Sequence, residues 1–596
     1  MMMVLLRKIK IPLLAVVAVL LSLCSPRFYP LEADHTFRDD VTYLASATLE
    51  GRKSGTRGDS LAALYIRDRF ARMGTVLLYE NGFQPFSLVS SAVPGDGNLF
   101  VLDDNPLQVS RDFLPYSFSS RERKSGEVVF AGYGFDIRSD SLTWNDYDSL
   151  DVRGKWVLLL KGDPEIDKAE SRFAPYSEER AKVLTALDHG AGGVVFVGGP
   201  QYSETDQLQD IFYDRNSSSY PVPVFQVTRE VGDKLLAPRG TTVAGMEEKI
   251  NTRERCGGFP LPGRITARAD VVLREVVTNN VVVMVPGNDP LLKDEYIVVG
   301  AHYDHLGWGG PGSGTRAPDT VAIHPGADDN ASGVALVIGL ANRAAHTPLN
   351  RRSLIFAAFG AEEMGLIGSK AFTANPPVDL KKIKAMFNFD MVGRLDTLSH
   401  ALSISGTLTS EESEAILTSH NPGFNLAFSG EGYGPSDHAA FYMENIPVFF
   451  FSTGAHSDYH TFSDTGDKIN YEGIEKIADY AWQVISEIAG RDQPLTFREA
   501  GSKIQRSRGG RFKVTLGVMP DYAGLEKNGL RVDAVSKDKA AHRAGIEKGD
   551  IITAIDGKPV GNIYDYMNRL KTFSEGQTIS VDILRNGEHK VLIVKL

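Results

Sequence analysis

The chain has 596 residues, of which 42% are hydrophobic and 23% are charged, and its formal net charge is −11. This length predicts several domains, each large enough to bury a core of its own. The acidic balance argues against nucleic acid as a partner, because phosphate binding requires a concentrated basic patch. Two cysteines, Cys24 and Cys256, exclude a disulfide framework.

The N-terminus carries the pattern of an export signal. Basic residues at positions 7, 8 and 10 precede an apolar run from Ile11 to Leu23. This run is shorter than the roughly 20 residues that span a bilayer, but it suits the core of a signal peptide. We therefore predict a signal peptide at residues 1–24 and an exported protein, periplasmic or associated with the outer membrane and cell envelope. Cys24 ends the run in "LSLC", which loosely resembles a lipoprotein cleavage site. A lipid anchor on Cys24 is one alternative, and removal of Cys24 together with the signal peptide is the other.

Composition shifts along the chain predict the domain boundaries. Residues 31–125 begin with an amphipathic helical pattern around the loop "LEGRKSGTRGD". Short β-rich runs separated by turn signals then occupy residues 126–262 and predict a separate β-rich insertion. Strand and helix patterns alternate over residues 263–490, which complete the first domain. A polar linker at 491–510 leads to a last unit at 511–596.

The segment from 295 to 490 predicts an α/β fold with a mixed, mostly parallel sheet. Its strands are continuous apolar runs, "EYIVVGAH", "SLIFAAFG", "KAMFNFDMV" and "IPVFFFS", which is typical of strands covered by helices on both faces. Polar residues end these runs. His302 closes the first, Glu362 and Glu363 follow the second, and Asp390 lies near the end of the third. Because open α/β sheets place their sites beyond the C-terminal ends of strands, these residues are candidates for one site.

Two further motifs complete a candidate metal centre. Asp328 lies in "HPGADDNASG" and His460 in "DYHTFSDT". With the strand-end residues they make a shell of two imidazoles and three carboxylates that suits zinc: His302, Asp328, Glu363, Asp390 and His460. Five ligands exceed the need of one catalytic ion and match two ions about 3.5–4 Å apart. We predict two Zn²⁺ ions bridged by Asp328, with Asp329 and Asn330 shaping the loop.

Two acidic residues beside these ligands are candidates for catalysis. Glu362 is predicted to be the general base, because it adjoins a ligand and can face a metal-activated water. It would accept a proton from that water and deliver it to the leaving amine. Asp304, two residues after His302, is predicted to hold the other nitrogen of that imidazole.

Six motifs in order, "GAHYDHLG", "HPGADDNASG", "FGAEEMGLIGS", "NFDMVGR", "SDHAAF" and "DYHTFSDT", resemble the two-zinc exopeptidases. This family includes bacterial secreted leucyl aminopeptidases and glutamate carboxypeptidase. The resemblance covers roughly residues 35–120 and 265–490 and implies a phosphorylase/hydrolase-like zinc-peptidase fold. It also implies a cis peptide between Asp328 and Asp329 and an oxyanion-stabilising tyrosine, with Tyr433 and Tyr459 as equal candidates. His438 is expected to shape the pocket through hydrogen bonds and not to bind metal.

The two accessory units carry resemblances of their own. Residues 126–262 resemble a protease-associated domain, which implies a role in covering or shaping the active site, with a structural spacer as the alternative. The motif "AGIEKGDIITAIDGKPV" resembles a bacterial PDZ domain. In that fold a peptide adds as a strand and backbone N–H groups hold its carboxylate, here at Leu516, Gly517 and Val518. Presenting substrate C-termini, recruiting a partner and packing on the catalytic domain all remain open.

These observations predict an exported, zinc-dependent aminopeptidase acting on peptides with a free N-terminus. The first alternative is a related enzyme: a carboxypeptidase of the glutamate-releasing kind, with Arg394 as the candidate for binding a carboxylate, or a one-metal glutaminyl cyclase. The second is a peptide-binding protein on an inactive hydrolase scaffold. That class loses metal ligands, whereas this chain fills every ligand position.

Overall fold

The computed structural model describes residues 36–139, 142–168, 171–213, 219–253, 258–310, 312–347, 351–500, 514–520, 529–536, 538–570 and 572–596. The predicted signal peptide with Cys24, and also Cys256, lie outside these described residues. Within them, every helix is too short or too polar to cross a bilayer.

The described residues form strands and helices that alternate along most of the chain. The strands are β1 (Val76–Leu77), β2 (Phe83–Pro94), β3 (Leu99–Leu102), β4 (Asn105–Pro106), β5 (Phe113–Pro115), β6 (Lys124–Phe130), β7 (Asp136–Arg138), β8 (Thr143–Asn145), β9 (Trp156–Leu160), β10 (Gly193–Val197), β11 (Val224–Val227), β12 (Phe259–Arg268), β13 (Val271–Val285), β14 (Tyr296–His302), β15 (Ser353–Phe359), β16 (Ile383–Phe389), β17 (Ala401–Ser405), β18 (Asn425–Ser429), β19 (Val448–Ser452), β20 (Val518–Pro520), β21 (Leu530–Val535), β22 (Ile551–Ile555), β23 (Lys558–Pro559), β24 (Thr578–Arg585) and β25 (Glu588–Lys595).

The α-helices supply the layers that cover these strands. They are α1 (Phe37–Leu44), α2 (Arg57–Arg72), α3 (Glu179–Asp188), α4 (Arg229–Leu236), α5 (Val243–Arg253), α6 (Gly333–His346), α7 (Ile367–Ala374), α8 (Ser413–Ser419), α9 (His438–Met443), α10 (Tyr471–Gly490), α11 (Ala540–Ala544) and α12 (Ile563–Leu570).

The largest sheet is mixed, as the sequence predicts. Its order is β1-β13-β15-β14-β16-β19-β17-β18, and β2 also pairs with β13. The centre is parallel, because β14 runs parallel to both β15 and β16, and β16 runs parallel to β19. The strands flanking this centre are joined to it by antiparallel pairs.

Helices bury both faces of this sheet. Ile297 and Val299 of β14 join a core cluster with α1, α2, α6 and α10, whereas Val298 joins a second cluster with α7 and α9. Because successive strand residues point to opposite faces, a strand buried on both sides must be apolar throughout. This is the physical origin of the continuous apolar runs in the sequence.

The insertion forms an eight-stranded sheet of its own, in the order β4-β3-β12-β6-β9-β10-β11-β5. It reaches from Leu99 to Arg268 and is therefore wider than the predicted range of 126–262. The early strands belong to it because β3 pairs with β12 and β5 pairs with β11. These long-range pairings leave no local pattern in the sequence. The predicted range therefore began too late, at residue 126, and ended too early, at residue 262.

The C-terminal unit is a small sheet in the order β20-β21-β22-β24-β25, with α11 and α12 packed on its core. It contacts both other units through polar side chains. Arg569 donates to both carboxylate oxygens of Asp188 in the insertion, at 2.5 and 3.0 Å. The hydroxyl of Tyr220 in the insertion donates to Asp565 of the C-terminal unit at 2.9 Å. Lys548 of the C-terminal unit donates at 2.6 Å to Glu444 in the domain built on the largest sheet, which we call the large domain.

One buried arginine ties the N-terminal segment to two later loops. The Arg52 guanidinium donates to the carbonyl oxygens of Tyr303 at 2.7 Å, Pro325 at 2.6 Å and Gly326 at 3.0 Å, and also to that of Leu44. Burial lowers the pKa of Arg52 to about 10, although nearby carboxylates oppose this shift. The sequence shows only a Gly- and Arg-rich loop here, because three of the four partners of Arg52 lie more than 250 residues away.

We expect Arg52→Met to lower the free energy of unfolding by about 3–5 kcal/mol, because four buried carbonyl groups would lose a charged donor. Urea denaturation followed by circular dichroism would measure this change. Arg57→Met is the matched control, because Arg57 is exposed on the neighbouring helix α2. Equal unfolding midpoints for the two variants would contradict the structural role of Arg52.

Candidate active site

Three neighbouring parallel strands deliver polar residues to one edge of the large sheet. His302 is the last residue of β14, the turn after β15 carries Glu362 and Glu363, and Asp390 follows β16 directly. Since β14 lies between β15 and β16, these ends meet. The Nε2 atom of His302 lies 3.4 Å from Oδ1 of Asp390. The structure therefore brings the strand-end candidates together in space.

Asp329, and not Asp328, lies at the centre of this cluster. Its Oδ1 is 3.3 Å from Nε2 of His302, and its Oδ2 is 3.1 Å from Nε2 of His460. The side chain of Asp328 points the other way. It accepts hydrogen bonds from the backbone N–H of Gly393 at 2.6 Å and from the hydroxyl of Ser332 at 3.0 Å.

The structure thus contradicts the prediction that Asp328 bridges two metal ions. Adjacent residues in this loop project to opposite sides, and only the second aspartate faces His302 and His460, whereas Oδ2 of Asp328 lies 3.1 Å from Nε2 of His456. The cis peptide also lies one residue later than expected, between Asp329 and Asn330. Two neighbouring aspartates look alike in a sequence, and only the path of the backbone distinguishes them.

The loop around Asp329 is fixed by contacts that the sequence analysis missed. Oδ2 of the buried Asp464 accepts the backbone N–H groups of Asp328 at 2.9 Å and Asp329 at 3.0 Å. Gly326 begins the loop at a φ of 57°, and a Cβ there would lie 2.2 Å from the carbonyl oxygen of Asp329. Asp464 belongs to the motif "DYHTFSDT", which also contains His460. This closeness to His460 in the chain is the signal that could have identified Asp464 as a residue of the site.

Two groups of potential metal donors share the Asp329 carboxylate. His302, Asp329 and Asp390 form one, and His305, Asp329 and Glu363 form the other, with donor atoms within 4.8 Å of one another in each. His460 also approaches the second group, with its Nε2 atom 3.3 Å from Oε1 of Glu363. His305 places its Nδ1 3.0 Å from the same oxygen but 3.8 Å from Asp329. The predicted set of metal ligands did not include His305.

The charge balance of the cluster fits divalent cations. Burial works to raise the pKa of Asp329, but hydrogen bonds from His302 and His460 outweigh it and hold this pKa well below its usual range. Burial likewise works to lower the pKa of His460, yet Asp329 and Glu363 raise it to about 10. Protons on imidazoles therefore compensate the buried carboxylates, and a metal ion replaces such protons when it binds. A mixed nitrogen and oxygen donor set of this kind suits zinc.

Glu362 lies beside the cluster, and Asp304 fixes its backbone. Burial, with Glu363 adding to it, raises the pKa of Glu362 well above its usual range, whereas a bound cation would act in the opposite direction. Oδ1 of Asp304 accepts the backbone N–H of Glu362 at 2.9 Å, and Oδ2 accepts the hydroxyl of Ser54 at 2.9 Å. The Nδ1 atom of His302 lies 3.2 Å from the carbonyl oxygen of Asp304 but 3.8 Å from its carboxylate. The expected contact with His302 is therefore made by the Asp304 backbone.

The two candidate tyrosines lie in different places. The ring of Tyr459 stacks on that of His460 with centroids 3.9 Å apart. Burial and the neighbouring carboxylates, Asp329 first among them, raise the pKa of Tyr459. Tyr433 instead lines a larger cavity together with Ala439 and Met443.

Two further candidate residues make structural contacts: His438 packs against an aromatic ring, and Arg394 forms an ion pair. His438 stacks on Phe450 with centroids 4.5 Å apart, and neither ring nitrogen has a hydrogen-bond partner within the described residues, so the expected hydrogen-bonded role is wrong. Burial lowers the pKa of His438 to about 3, which keeps the imidazole neutral. Arg394 donates to Oδ2 of Asp458 at 2.7 Å, so its guanidinium is engaged in an ion pair.

A cavity of about 230 Å³ opens beside the cluster. His305, Glu363 and Met364 of the large domain form one side of it. Residues 211–213 of the insertion form part of the opposite side, and the carbonyl oxygen of Phe212 is held by the hydroxyl of Ser117 at 2.7 Å. The insertion thus contributes side chains next to the candidate metal ligands.

The candidate peptide-binding loop of the C-terminal unit is an irregular turn before β20. Gly517 has a φ of 82°, and a side chain there would collide with Lys539. Leu516 is buried in the core and its carbonyl accepts the N–H of Ala541 at 2.7 Å. Val518 begins β20, which pairs with β21 and lies at the end of its sheet.

Comparison with known proteins supports two domain assignments. Residues 280–485 match peptidase family M28, and residues 514–596 match the PDZ domain. The first range contains the six motifs of the cluster, from "GAHYDHLG" to "DYHTFSDT", and the second contains the small C-terminal sheet.

Several named relatives align with this chain. Aminopeptidase YwaD of Bacillus subtilis (strain 168) is 22% identical over 486 residues, which cover 80% of this chain and 89% of the relative. The probable lipoprotein aminopeptidase LpqL of Mycobacterium tuberculosis is 26% identical over 249 residues, which cover 42% of this chain and 38% of the relative. The structure of an aminopeptidase from Aneurinibacillus sp. strain AM-1 aligns with a TM-score of 0.45 at 22% identity, covering 80% of this chain and 96% of that one. By the two family matches alone, residues 280–485 form a peptidase domain of family M28 and residues 514–596 form a C-terminal PDZ domain.

Proposed function

We propose that this protein is a zinc-dependent aminopeptidase that removes N-terminal residues from peptides. The observation that carries this proposal is the Asp329 carboxylate, which lies between His302 and His460 and is shared by two groups of donors. Relatives named as aminopeptidases support the same activity.

The chain offers a consistent set of ligands for two zinc ions. His302, Asp329 and Asp390 would hold one ion, and Asp329, Glu363 and His460 would hold the other. We assign His460 rather than His305 to the second ion, because His460 approaches both carboxylates closely, at 3.1 and 3.3 Å. His305 would then orient Glu363 by a hydrogen bond. Zinc, when bound, supplies a Lewis acid that activates water and polarises the scissile carbonyl.

The other residues of the site would transfer a proton or stabilise the charge that develops on the substrate. Glu362 would accept a proton from the attacking water and pass it to the leaving amine, while Asp304 holds its backbone in place. Tyr459 is the better candidate to donate a hydrogen bond to the oxyanion, because it stacks on His460 at the edge of the cluster. The cluster carries several carboxylates, which suit the positive α-amine of a substrate.

The geometry favours an aminopeptidase over a carboxypeptidase. A carboxypeptidase requires a cation that receives the terminal carboxylate, and Arg394 was the candidate in the sequence. Its guanidinium already pairs with Asp458 at 2.7 Å and lies 3.8 Å from Asp464. These contacts give Arg394 a structural role near Asp464, which holds the loop of Asp329.

We also propose that the protein is exported. The basic N-terminal residues followed by the apolar run from Ile11 to Leu23 support a signal peptide. Cleavage before Cys24 with lipidation would place the enzyme at the cell envelope, and cleavage beyond it would release the enzyme into the periplasm.

Substituting the two aspartates one at a time tests which of them is shared by the two groups of donors. We expect Asp329→Asn to reduce bound zinc from about two ions per chain to about one or none, because both donor groups lose a charged ligand. Asp328→Asn is the matched control and should retain about two ions. Elemental analysis after dialysis measures the zinc content. Loss of zinc from the Asp328 variant alone would restore Asp328 as the bridging ligand.

Substituting Glu362 tests its role as the general base. Glu362→Gln should lower kcat for leucyl-p-nitroanilide by about 10²–10⁴-fold, because the amide cannot accept the proton. The zinc content should stay at two ions per chain, which separates loss of the base from loss of metal. An active Glu362→Gln enzyme with full zinc would remove Glu362 from the mechanism.

Substituting each tyrosine by phenylalanine distinguishes the two candidates. Tyr459→Phe should lower kcat by about 10²-fold, because one donor to the oxyanion is lost while the ring is kept. Tyr433→Phe should change kcat by less than about threefold, since Tyr433 lines the neighbouring cavity. Steady-state kinetics of both variants on the same substrate provides the comparison, and the reverse order of effects would assign the role to Tyr433.

A further inference from the structure

A second, larger cavity of about 720 Å³ lies between the peptidase domain and the PDZ domain. Helices α7 and α9 of the peptidase domain line one side, with Ala374 at the end of α7 and Met443 at the end of α9. The PDZ domain provides the opposite side through Pro520, Arg531, Val532, Lys548 and Gly549. This volume lies within the range of 300–1,000 Å³ that is typical of ligand sites.

The large cavity adjoins the cavity beside the candidate metal ligands. Val89, Tyr213 and Met364 line both of them. Met364 directly follows Glu363, which borders the smaller cavity with His305. A chain that extends from the metal cluster past Met364 therefore enters the space in front of the PDZ domain.

The PDZ wall of this cavity is held in place from two directions. Lys548 donates to Glu444 of the peptidase domain at 2.6 Å, at the cavity itself. On the insertion, Arg569 binds Asp188 and the buried Asp565 accepts the hydroxyl of Tyr220. Contacts with both neighbouring units oppose movement of the PDZ domain away from the cavity.

The lining combines apolar side chains with cationic groups. Phe86, Leu88 and Met443 offer apolar surface, and Lys370 and Arg531 carry positive charge. Glu275 and Glu444 also line the cavity, and Glu444 is paired with Lys548. An oligopeptide matches this combination, because its side chains pack on apolar walls and its C-terminal carboxylate is attracted to cations. The N-terminal end of such a peptide would lie at the metal cluster.

We propose that this cavity binds the part of a peptide substrate beyond its first residues, so that the enzyme favours peptides of several residues over dipeptides. This inference rests on the proposed aminopeptidase activity and deepens it. The PDZ domain then acts as a wall of the substrate site.

The test is a series of peptides that begin with leucine, contain two, four, six or eight residues, and have free N- and C-termini. We expect kcat/KM of the full-length, zinc-loaded wild type to rise about tenfold or more between two and six residues, because each added residue gains contacts in the cavity. Leucyl-p-nitroanilide, which contains one amino-acid residue and no peptide beyond it, reports the basal activity.

Ala374→Trp should abolish the rise with length and leave hydrolysis of leucyl-p-nitroanilide within about twofold of wild type. Ala374 is exposed and lines the cavity, so tryptophan there fills space without touching the metal cluster. Ala415→Trp is the matched control, because Ala415 is exposed on α8, outside the lining of the cavity, and should keep the rise. Thr373→Trp, at the adjacent lining position, replaces Ala374→Trp if that variant does not fold.

The outcomes separate this inference from the proposed function. Ordinary hydrolysis of leucyl-p-nitroanilide with the same kcat/KM for all peptide lengths would overturn the inference alone. A rise that persists in both tryptophan variants of α7 would overturn it as well. Failure of the wild type to hydrolyse any free-amine substrate while holding two zinc ions would overturn the aminopeptidase proposal itself.

Discussion

The buried carboxylate of Asp329, held between the imidazoles of His302 and His460, is the interaction around which the peptidase domain is organised. A buried charge is costly unless it is paired, so this carboxylate requires cationic neighbours. The fold meets that requirement by ending parallel strands at the same edge. Each strand end then contributes a donor from a different part of the chain.

The residues that hold this centre are themselves buried and polar. Asp464 accepts two backbone N–H groups of the loop, and Arg52 binds the carbonyl oxygens of Tyr303 after β14 and of Gly326 at the start of the loop. Such groups bind neither substrate nor metal in the proposed mechanism. They fix the path of the backbone, which decides that Asp329 and not its neighbour faces His302 and His460.

The accessory units extend the same site outward. The insertion places residues 211–213 beside Glu363, and the PDZ domain forms the far wall of the adjoining cavity. Ion pairs at Asp188 and Glu444 connect the three units. The sequence predicted both units from their own patterns, but neither their contacts nor their orientation, because these depend on side chains hundreds of residues apart.

The sequence by itself determined the mixed α/β class, the order of the units and the strand ends at which the site forms. Continuous apolar runs and the polar residues that end them are local patterns, and burial on two faces produces them directly. Only the tertiary structure decided which of two adjacent aspartates is central, that His305 reaches Glu363, and that Asp304 contacts His302 through its carbonyl oxygen. Those choices depend on backbone direction and on partners distant in the chain, which no local spacing encodes.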